Sequence, residues 1–317
     1  MARINRTTMR RYLSRSISSI NRNKVNGMLA EIDLRNTLVG LGYGHRISQG
    51  GWIARNVGNG IFGHQTSVIF PVTILPDTNY QAGRALPDPS LGLHTICATM
   101  HQIGVHSFYC VPSITLNNNY DSITWEAKQL GIPLPTTFSP LNLAIQNFNL
   151  RPRRHGFLRY TGNARQIPTT SLAEEFTKEH LRVSFQNIFL SEIADIDGVF
   201  WGQQHTYPIE IKEKTVAPDP SNKTGPYFGL DVGPFVKLAF YAAKKGNLHS
   251  LFIVREIDNV QNRNLVNWWY ITFDVLAQFA SWVPQGGGTN MQGGRSTVIK
   301  IPKTEFLSLN AASLATL

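Results

Sequence analysis

The chain has 317 residues, of which 42% are hydrophobic, and this is enough for one large α/β domain or two smaller ones. The composition excludes collagen, coiled-coil and disordered proteins, and no stretch has the roughly 18 uncharged apolar residues that a membrane helix requires. The two cysteines, Cys97 and Cys110, cannot form a disulfide framework. The sequence therefore predicts a soluble intracellular protein without a membrane segment.

Positive charge is in excess and is clustered. Thirty Lys and Arg oppose twenty Asp and Glu, which gives a formal net charge of +10. Seven of these cations precede Glu31, the first acid of the chain, and three arginines cluster again at 151–154. Crowded cations repel one another unless phosphates neutralise them, so a polyanionic partner is expected, with a solvated basic surface as the alternative. The predicted contacts to the phosphate backbone of such a partner are Arg10, Arg11, Arg15, Arg151, Arg153 and Arg154.

Residues 1–48 are predicted to form two helices. Apolar residues recur at helical spacing at Met9, Leu13, Ile17 and Ile20. Segment 25–41 is apolar on nearly all sides, which favours a buried helix, and Glu31 lies within it. A carboxylate on a buried helix is costly unless it is paired or binds a metal, so Glu31 is a candidate site residue. An organelle transit peptide is the alternative for the first thirty residues.

Residues 49–169 are predicted to be rich in strands and loops. Ten of the seventeen prolines fall between Pro71 and Pro168, which disfavours long helices in most of this segment. Segments 66–75 and 106–116 are rich in strand-forming residues, and one helix is expected near residues 121–130.

From residue 170 the pattern becomes regular. It predicts a helix at 171–190, a strand at 193–201, a polar turn at 202–206, a strand at 207–216, a helix at 233–245, and strands at 249–257 and 267–273. The glycine-rich segment 286–294 is expected to be a mobile surface loop, because it neither follows a strand nor opens a helix as a nucleotide-binding loop would. No nucleotide cofactor is therefore predicted. The order of elements predicts an α/β fold with a central mixed β-sheet flanked by helices and a large insertion rich in strands and loops.

Three ionisable residues come together if strands 193–201 and 207–216 pair as a hairpin. Residues two apart on a strand share a face, so Ile209 and Ile211 would enter the core while Glu210 and Lys212 point to the other side. Asp197 would then lie beside Glu210. Two adjacent carboxylates repel each other, and a hard divalent cation such as Mg²⁺ relieves that repulsion.

This pattern resembles the active site of the PD-(D/E)xK nuclease superfamily, in which an acid is followed, after a variable gap, by acid-x-Lys on the next strand. The resemblance covers about residues 171–257, although isoleucine replaces the proline of the family pattern before Asp197. It implies that Asp197 and Glu210 are Mg²⁺ ligands and that Lys212 orients or deprotonates the attacking water. The family often adds a glutamate from a preceding helix, for which Glu31 is the first candidate and Glu175 and Glu179 are the alternatives.

The resemblance implies a Mg²⁺-dependent endonuclease that hydrolyses double-stranded DNA and leaves 5′-phosphate ends. Domain layout and size resemble those of type II restriction endonucleases, which implies a sequence-specific homodimer in the prokaryotic cytoplasm. The restriction endonuclease-like catalytic core would be residues 170–317, residues 49–169 would serve recognition or dimerisation, and the basic helices of 1–48 would precede them or join the core. Lys214 would contact the DNA backbone. The alternatives are a DNA repair or junction-resolving nuclease, and a non-catalytic DNA-binding protein in which Glu210 and Lys212 form a structural ion pair.

Two other patterns are rejected. A second Glu-x-Lys, Glu126-Ala127-Lys128, lies in a segment that is predicted to be helical, where residues two apart do not face each other. A possible zinc set has spacing that matches no common zinc finger, and its cysteines lie in apolar runs. This set consists of His94, Cys97, His101, His106 and Cys110.

Overall fold

The chain folds into two compact units, each built from non-contiguous segments. The structure is a computed structural model that describes residues 3–16, 22–48, 50–55, 66–78, 86–102, 104–132, 136–144, 169–189, 193–220, 225–242, 249–279, 281–291 and 294–317. The first unit contains residues 1–32 and 49–196, and the second contains residues 33–48 and 197–317. This division differs from the predicted boundaries at 48/49 and 169/170. The α/β class with mixed sheets and flanking helices is confirmed.

The first unit contains a six-stranded mixed sheet. Its elements are α1 (Arg6–Ser16), the first half of α2 (Arg22–Gly40), β1 (Gly51–Arg55), β2 (Thr66–Pro71), α3 (Leu91–Gln102), β3 (Val105–Ile114), β4 (Ile123–Leu130), β5 (Ser139–Pro140), α4 (Leu141–Ala144), α5 (Thr169–Phe189) and β6 (Ile193–Ile196). The strand order is β5-β4-β3-β2-β1-β6, with only the β2–β3 pair parallel. Helix α3 connects that parallel pair, as a parallel crossover requires.

The core of the first unit combines α1, α5 and one face of the sheet. Met9 of α1, Phe176 of α5, and Phe108 and Trp125 of the sheet are buried in the same apolar cluster. The apolar residues of α1 and α5 occur at helical spacing, so each helix directs one stripe into this core.

The second unit contains a five-stranded mixed sheet and a three-stranded antiparallel sheet. Its elements are the second half of α2, β7 (Gly198–Trp201), β8 (Thr206–Lys214), β9 (Tyr227–Asp231), α6 (Val232–Ala242), β10 (Leu251–Ile257), β11 (Leu265–Thr272), α7 (Phe273–Phe279), β12 (Ser281–Met291), β13 (Gly294–Pro302), β14 (Leu307–Ser308) and α8 (Ala311–Leu314). The larger sheet has the order β14-β11-β10-β8-β7, with β8 and β10 parallel, and the smaller has the order β12-β13-β9.

Both faces of β8 are covered within the second unit. Phe252 and Val254, the register partners of Glu210 and Lys212 on β10, belong to an apolar cluster with α6, α7 and the smaller sheet. Ile209 and Ile211 are buried on the opposite face. On that face Arg255 of β10 donates to Asp33 of α2 at 2.7 Å, which ties the second half of α2 to the sheet.

Most elements predicted in the C-terminal half are confirmed, but four expectations are wrong. The predicted helix at 121–130 is strand β4, and α3 forms within the proline-rich region where strands and loops were expected. The predicted strand 193–201 is interrupted at Asp197, where the chain passes from the sheet of the first unit to that of the second. Residues 286–291 of the glycine-rich segment belong to strand β12 and Gly294 begins β13, so a strand pair forms where a loop was expected; residues 292 and 293 lie outside the described residues.

Helix α2 is confirmed, but it is not buried on all sides. Met28, Ala30, Leu34 and Leu38 are buried, whereas Val39 is 64% exposed. Among the residues that the structure describes, no helix combines the length and apolar character needed to cross a membrane.

Candidate active site

Strands β7 and β8 form the predicted hairpin. They pair antiparallel, with Gly198 opposite Ile209 and Trp201 opposite Thr206. The turn between them is closed by the Gly202 N–H, which donates to the His205 carbonyl oxygen at 2.9 Å, and a Cβ at Gly202 would meet that oxygen at 2.9 Å. The register places Asp197, the residue before β7, beside Glu210.

At the point where β7 stops pairing with β8, the side chain of Asp197 replaces the backbone of β7 as the hydrogen-bond acceptor. Its Oδ2 accepts the backbone N–H of Ile211 at 2.7 Å. Because β7 begins only at Gly198, this amide of β8 lies beyond the paired ladder, and a buried amide without an acceptor would be costly. The hydrogen bond fixes the Asp197 carboxylate next to the Glu210–Lys212 segment.

Glu210 is a buried carboxylate held by two ammonium groups. The residue is 2% exposed, and its Oε1 lies 2.5 Å from the Nζ of Lys212. Its Oε2 contacts the Nζ of Lys237, which reaches it from α6. Lys237 was not predicted from the sequence. A signal existed, since Lys237 is the single charged residue of α6.

Glu210 points to the side of the sheet opposite Ile209 and Ile211, as expected, but that side is covered. Glu210 shares its face of the sheet with the buried Phe252 and Val254, so it lies at the border of an apolar cluster. Lys212 is further along β8 and keeps 34% of its side chain exposed. The accessible part of the cluster is therefore the Lys212 end.

Lys214 continues the same face of β8 and is partly buried. Burial lowers the pKa of its ammonium, the negative charge of Asp231 raises that pKa, and the charge of Lys212 lowers it further. Three lysines, Lys212, Lys214 and Lys237, thus accompany Asp197, Glu210 and Asp231 in this part of the second unit. Lys214 as a DNA contact remains a prediction.

The carboxylates suit a hard cation. Asp197 and Glu210 supply oxygen atoms, which are the donors that Mg²⁺ prefers, and Mg²⁺ commonly uses one or two carboxylates and keeps several waters. In the part of the chain that the structure describes, no group of three or more His, Cys, Asp or Glu could hold a metal ion. Asp197 and Glu210 alone fall short of such a group, and Mg²⁺ binding by both remains a prediction.

The two acids of α2 each have a cationic partner. Glu31 Oε2 lies 3.6 Å from the Nζ of Lys178 in the first unit, and Asp33 pairs with Arg255 in the second. These ion pairs meet the cost of partial burial without a metal. Glu31 as a catalytic residue therefore remains a prediction, as do its alternatives Glu175 and Glu179, which are buried on α5.

The basic residues can be placed only in part. Arg11 is exposed and Arg10 is partly exposed on α1. The side chain of Arg15 and the second cluster, Arg151, Arg153 and Arg154, lie outside the described residues.

The reason for rejecting the second Glu-x-Lys was wrong, since Glu126 and Lys128 share one face of a strand. Lys128 pairs instead with Asp88 at 3.6 Å and lies 5.6 Å from the centre of the Phe138 ring.

The cysteines of the rejected zinc set are both buried. Burial raises the pKa of the Cys97 thiol to about 12 and raises that of Cys110 as well. A thiol with a raised pKa is a poor metal ligand, because the thiolate is the form that binds.

Comparison of the chain with protein families, with curated proteins and with solved structures gives no match.

Proposed function

We propose that the protein is a Mg²⁺-dependent endonuclease that hydrolyses phosphodiester bonds of double-stranded DNA and leaves 5′-phosphate ends. The observation that carries this proposal is the β7–β8 register, which brings Asp197 beside the Glu210–Lys212 segment. We extend the proposal, on the resemblance alone, to a sequence-specific homodimer of the type II restriction kind. Cleavage of a plasmid at one fixed sequence would distinguish this enzyme from a repair or junction-resolving nuclease.

Each residue of the cluster has a role in this proposal. Asp197 and Glu210 hold Mg²⁺, and the Ile211 amide keeps the Asp197 carboxylate oriented. Lys212 contacts a phosphate or orients the attacking water. It is the more exposed of the two lysines that contact Glu210. When bound, Mg²⁺ polarises a phosphoryl oxygen and lowers the pKa of its coordinated water.

A second candidate is a non-catalytic DNA-binding protein. It is favoured by the ion pairs of Glu210, since each carboxylate oxygen already contacts an ammonium group. In this case the cluster only stabilises the sheet. The two candidates differ in one observable, because only the nuclease cuts DNA when Mg²⁺ is added.

The test is plasmid cleavage by the wild type and by Lys212→Ala, Asp197→Asn and Glu210→Gln. We expect each substitution to slow cleavage by about 10³-fold or more, since each removes a group that acts at the scissile phosphate. DNA affinity of Lys212→Ala, measured in Ca²⁺ by fluorescence anisotropy, should change little. Calcium should support binding without turnover.

The matched control is Lys128→Ala. Lys128 also belongs to a Glu-x-Lys on a strand, but its ammonium pairs with Asp88. Cleavage by this variant should equal that of the wild type. If Lys212→Ala and Lys128→Ala both cut as the wild type does, the assignment of the site is wrong, and if none of the proteins cuts DNA, the binding-protein candidate is preferred.

A further inference from the structure

The second unit contains a cavity that shares no residue with the proposed active site. Its volume is about 360 Å³, which is enough for a small organic molecule. It lies where β8 and β10 begin and β11 ends, and residues of α7 add to its lining. Tyr207, which lines it, is on the same face of β8 as Ile209, whereas Glu210 is on the opposite face.

One wall of this cavity is aromatic. The rings of His205, Tyr207 and His249 lie between 5.6 and 6.0 Å from one another. Tyr270 and Val275 also line the cavity. Such side chains bind the carbon part of a ligand, and the face of an aromatic ring in addition attracts a cation.

The charged groups of the lining are both carboxylates. Among the described residues that line the cavity, Asp274 and Glu305 carry a full charge and none is a lysine or an arginine. In the described part of the chain neither carboxylate has a lysine or an arginine at salt-bridge distance, whereas Glu210 has two. Two carboxylates without a cationic partner oppose an anionic ligand and attract a cationic one.

Asp274 lies at the mouth of the cavity, beside the aromatic wall. Its side chain is 59% exposed. Burial raises the pKa of Tyr207 to about 12, and the charge of Asp274 adds to that rise. The Nε2 of His249 lies 3.7 Å from Oδ1 of Asp274, which is too long for a hydrogen bond, so this oxygen can still accept one from a ligand.

His205 supplies a further polar atom. Its Nδ1 is buried and has no hydrogen-bond partner in the described structure. A buried ring nitrogen without a partner is costly, and an N–H or O–H group in the cavity would reduce that cost. The lining therefore combines negative charge, an unpaired polar atom and an aromatic surface.

We propose that this cavity binds a small organic ligand that carries a primary ammonium group, and that Asp274 recognises this group. The ammonium donates hydrogen bonds to the Asp274 carboxylate, and the negative charge of Glu305 strengthens its binding. The carbon part of the ligand lies against the rings of Tyr207 and His249. A metal ion is not the expected ligand, because among the described residues no group of three or more His, Cys, Asp or Glu could hold one.

The experiment compares three probes of similar size and different charge, which are benzylamine, benzyl alcohol and benzoate. Each is titrated into the full chain at pH 7.5 without DNA, and binding is followed by saturation-transfer NMR. Benzylamine should bind about tenfold more tightly than benzyl alcohol, since a hydrogen bond to a charged group is stronger than one to a neutral group. Benzoate should bind more weakly than either.

Asp274→Asn keeps the shape of the side chain and removes its charge. It should lower the affinity for benzylamine about tenfold and leave that for benzyl alcohol unchanged. Glu305→Gln should change the affinity for benzylamine in the same direction by a smaller factor. Because benzyl alcohol reports on the integrity of the cavity, a selective loss of benzylamine binding cannot come from a folding defect.

The matched control is Asp258→Asn. Asp258 is an acid of the second unit that is bound to Asn264 in the turn after β10 and does not line the cavity. Its substitution removes the same charge and should leave the affinity for benzylamine unchanged. An equal loss in Asp258→Asn and Asp274→Asn would reflect net charge and would overturn the proposal.

Three other results would also overturn the proposal. The first is equal affinity of the wild type for benzylamine and benzyl alcohol, or tighter binding of benzoate. The second is wild-type affinity for benzylamine in both Asp274→Asn and Glu305→Gln. The third is the absence of binding of all three probes.

Discussion

His180 is a buried histidine of α5 whose two ring nitrogens both form hydrogen bonds. Trp125 Nε1–H donates to Nδ1 at 3.0 Å, so Nε2 carries the proton and donates to the Tyr120 carbonyl oxygen at 2.9 Å. Burial lowers the pKa of His180 to about 4, while the bond to Tyr120 and the charge of Asp121 raise it by smaller amounts. The neutral imidazole is therefore part of the folded core.

This histidine should make the protein less stable as the pH falls from about 6.5 to about 4. In that range the unfolded chain binds a proton that the folded chain does not, so the free energy of unfolding falls with pH. We expect His180 to account for up to roughly 3 kcal/mol of this loss. Urea unfolding at pH 7 and pH 4.5 should show a smaller difference for His180→Gln than for the wild type.

Substitution of the exposed His45 by Gln provides the comparison, because it removes a histidine that is not buried in the core. Equal pH dependence in the wild type and His180→Gln would mean that His180 is not neutral in the folded core.

Helix α2 carries Glu31, which the sequence suggested as a catalytic acid. The structure shows it in an ion pair with Lys178. Glu31 and Lys178 are each 14% exposed and contact each other within the first unit. A partly buried charge that loses its partner destabilises a protein, whereas removal of both partners costs less. Stability and cleavage together can therefore distinguish the two roles of Glu31.

We expect Glu31→Gln to lower the free energy of unfolding by about 1–3 kcal/mol, because it leaves the Lys178 ammonium without its carboxylate. The double variant Glu31→Gln with Lys178→Met should be less destabilised than the sum of the single variants. Denaturant unfolding of the four proteins gives this coupling energy. A Glu31→Gln protein with wild-type stability that no longer cleaves DNA would instead establish Glu31 as part of the active site.

The hairpin that carries Asp197 and Glu210 could be predicted because its signals are local. Alternation of apolar and polar residues fixes the strands, and the polar turn fixes their pairing. Strand β4 could not be predicted in this way. Glu126, Ala127, Lys128 and Leu130 all favour helix in isolation, and pairing with β3 overrides that preference. Lys237 could not be placed either, because its contact with Glu210 depends on how α6 packs against β8.

At the scale of the whole molecule, the net charge bears on DNA binding and the chain connectivity bears on the order of folding. The formal charge of +10 is a property of the complete chain, and the basic N-terminal residues belong to the first unit, while Asp197, Glu210 and Lys212 belong to the second. If DNA binds through phosphates, each neutralised phosphate adds to the salt dependence of binding. The roles of Arg10 and Arg11 can be tested on that basis.

Substitution of both Arg10 and Arg11 by Ala should weaken DNA binding and make its salt dependence shallower. The slope of log affinity against log salt concentration should decrease by about 2, since each phosphate contact contributes roughly 0.9. Anisotropy titrations in Ca²⁺ at several NaCl concentrations measure this slope. Removing two lysines that lie outside α1, Lys128 and Lys303, takes away the same charge and should change the slope less. Equal slopes for the two double variants would exclude α1 as a DNA-binding surface.

The interleaved segments of the two units impose an order on folding during synthesis. Residues 1–32 and 49–196 have all left the ribosome's catalytic centre before residue 197 is added, so the first unit can begin to fold while the second is still being made. Residues 33–48 emerge early, yet Asp33 must wait for Arg255, and the Ser48 amide must wait for the carbonyl of Val199. Throughout that interval the nascent chain lacks the rest of the second unit, so the half-helix that carries Leu34 and Leu38 can complete its packing only after the first unit has been synthesised.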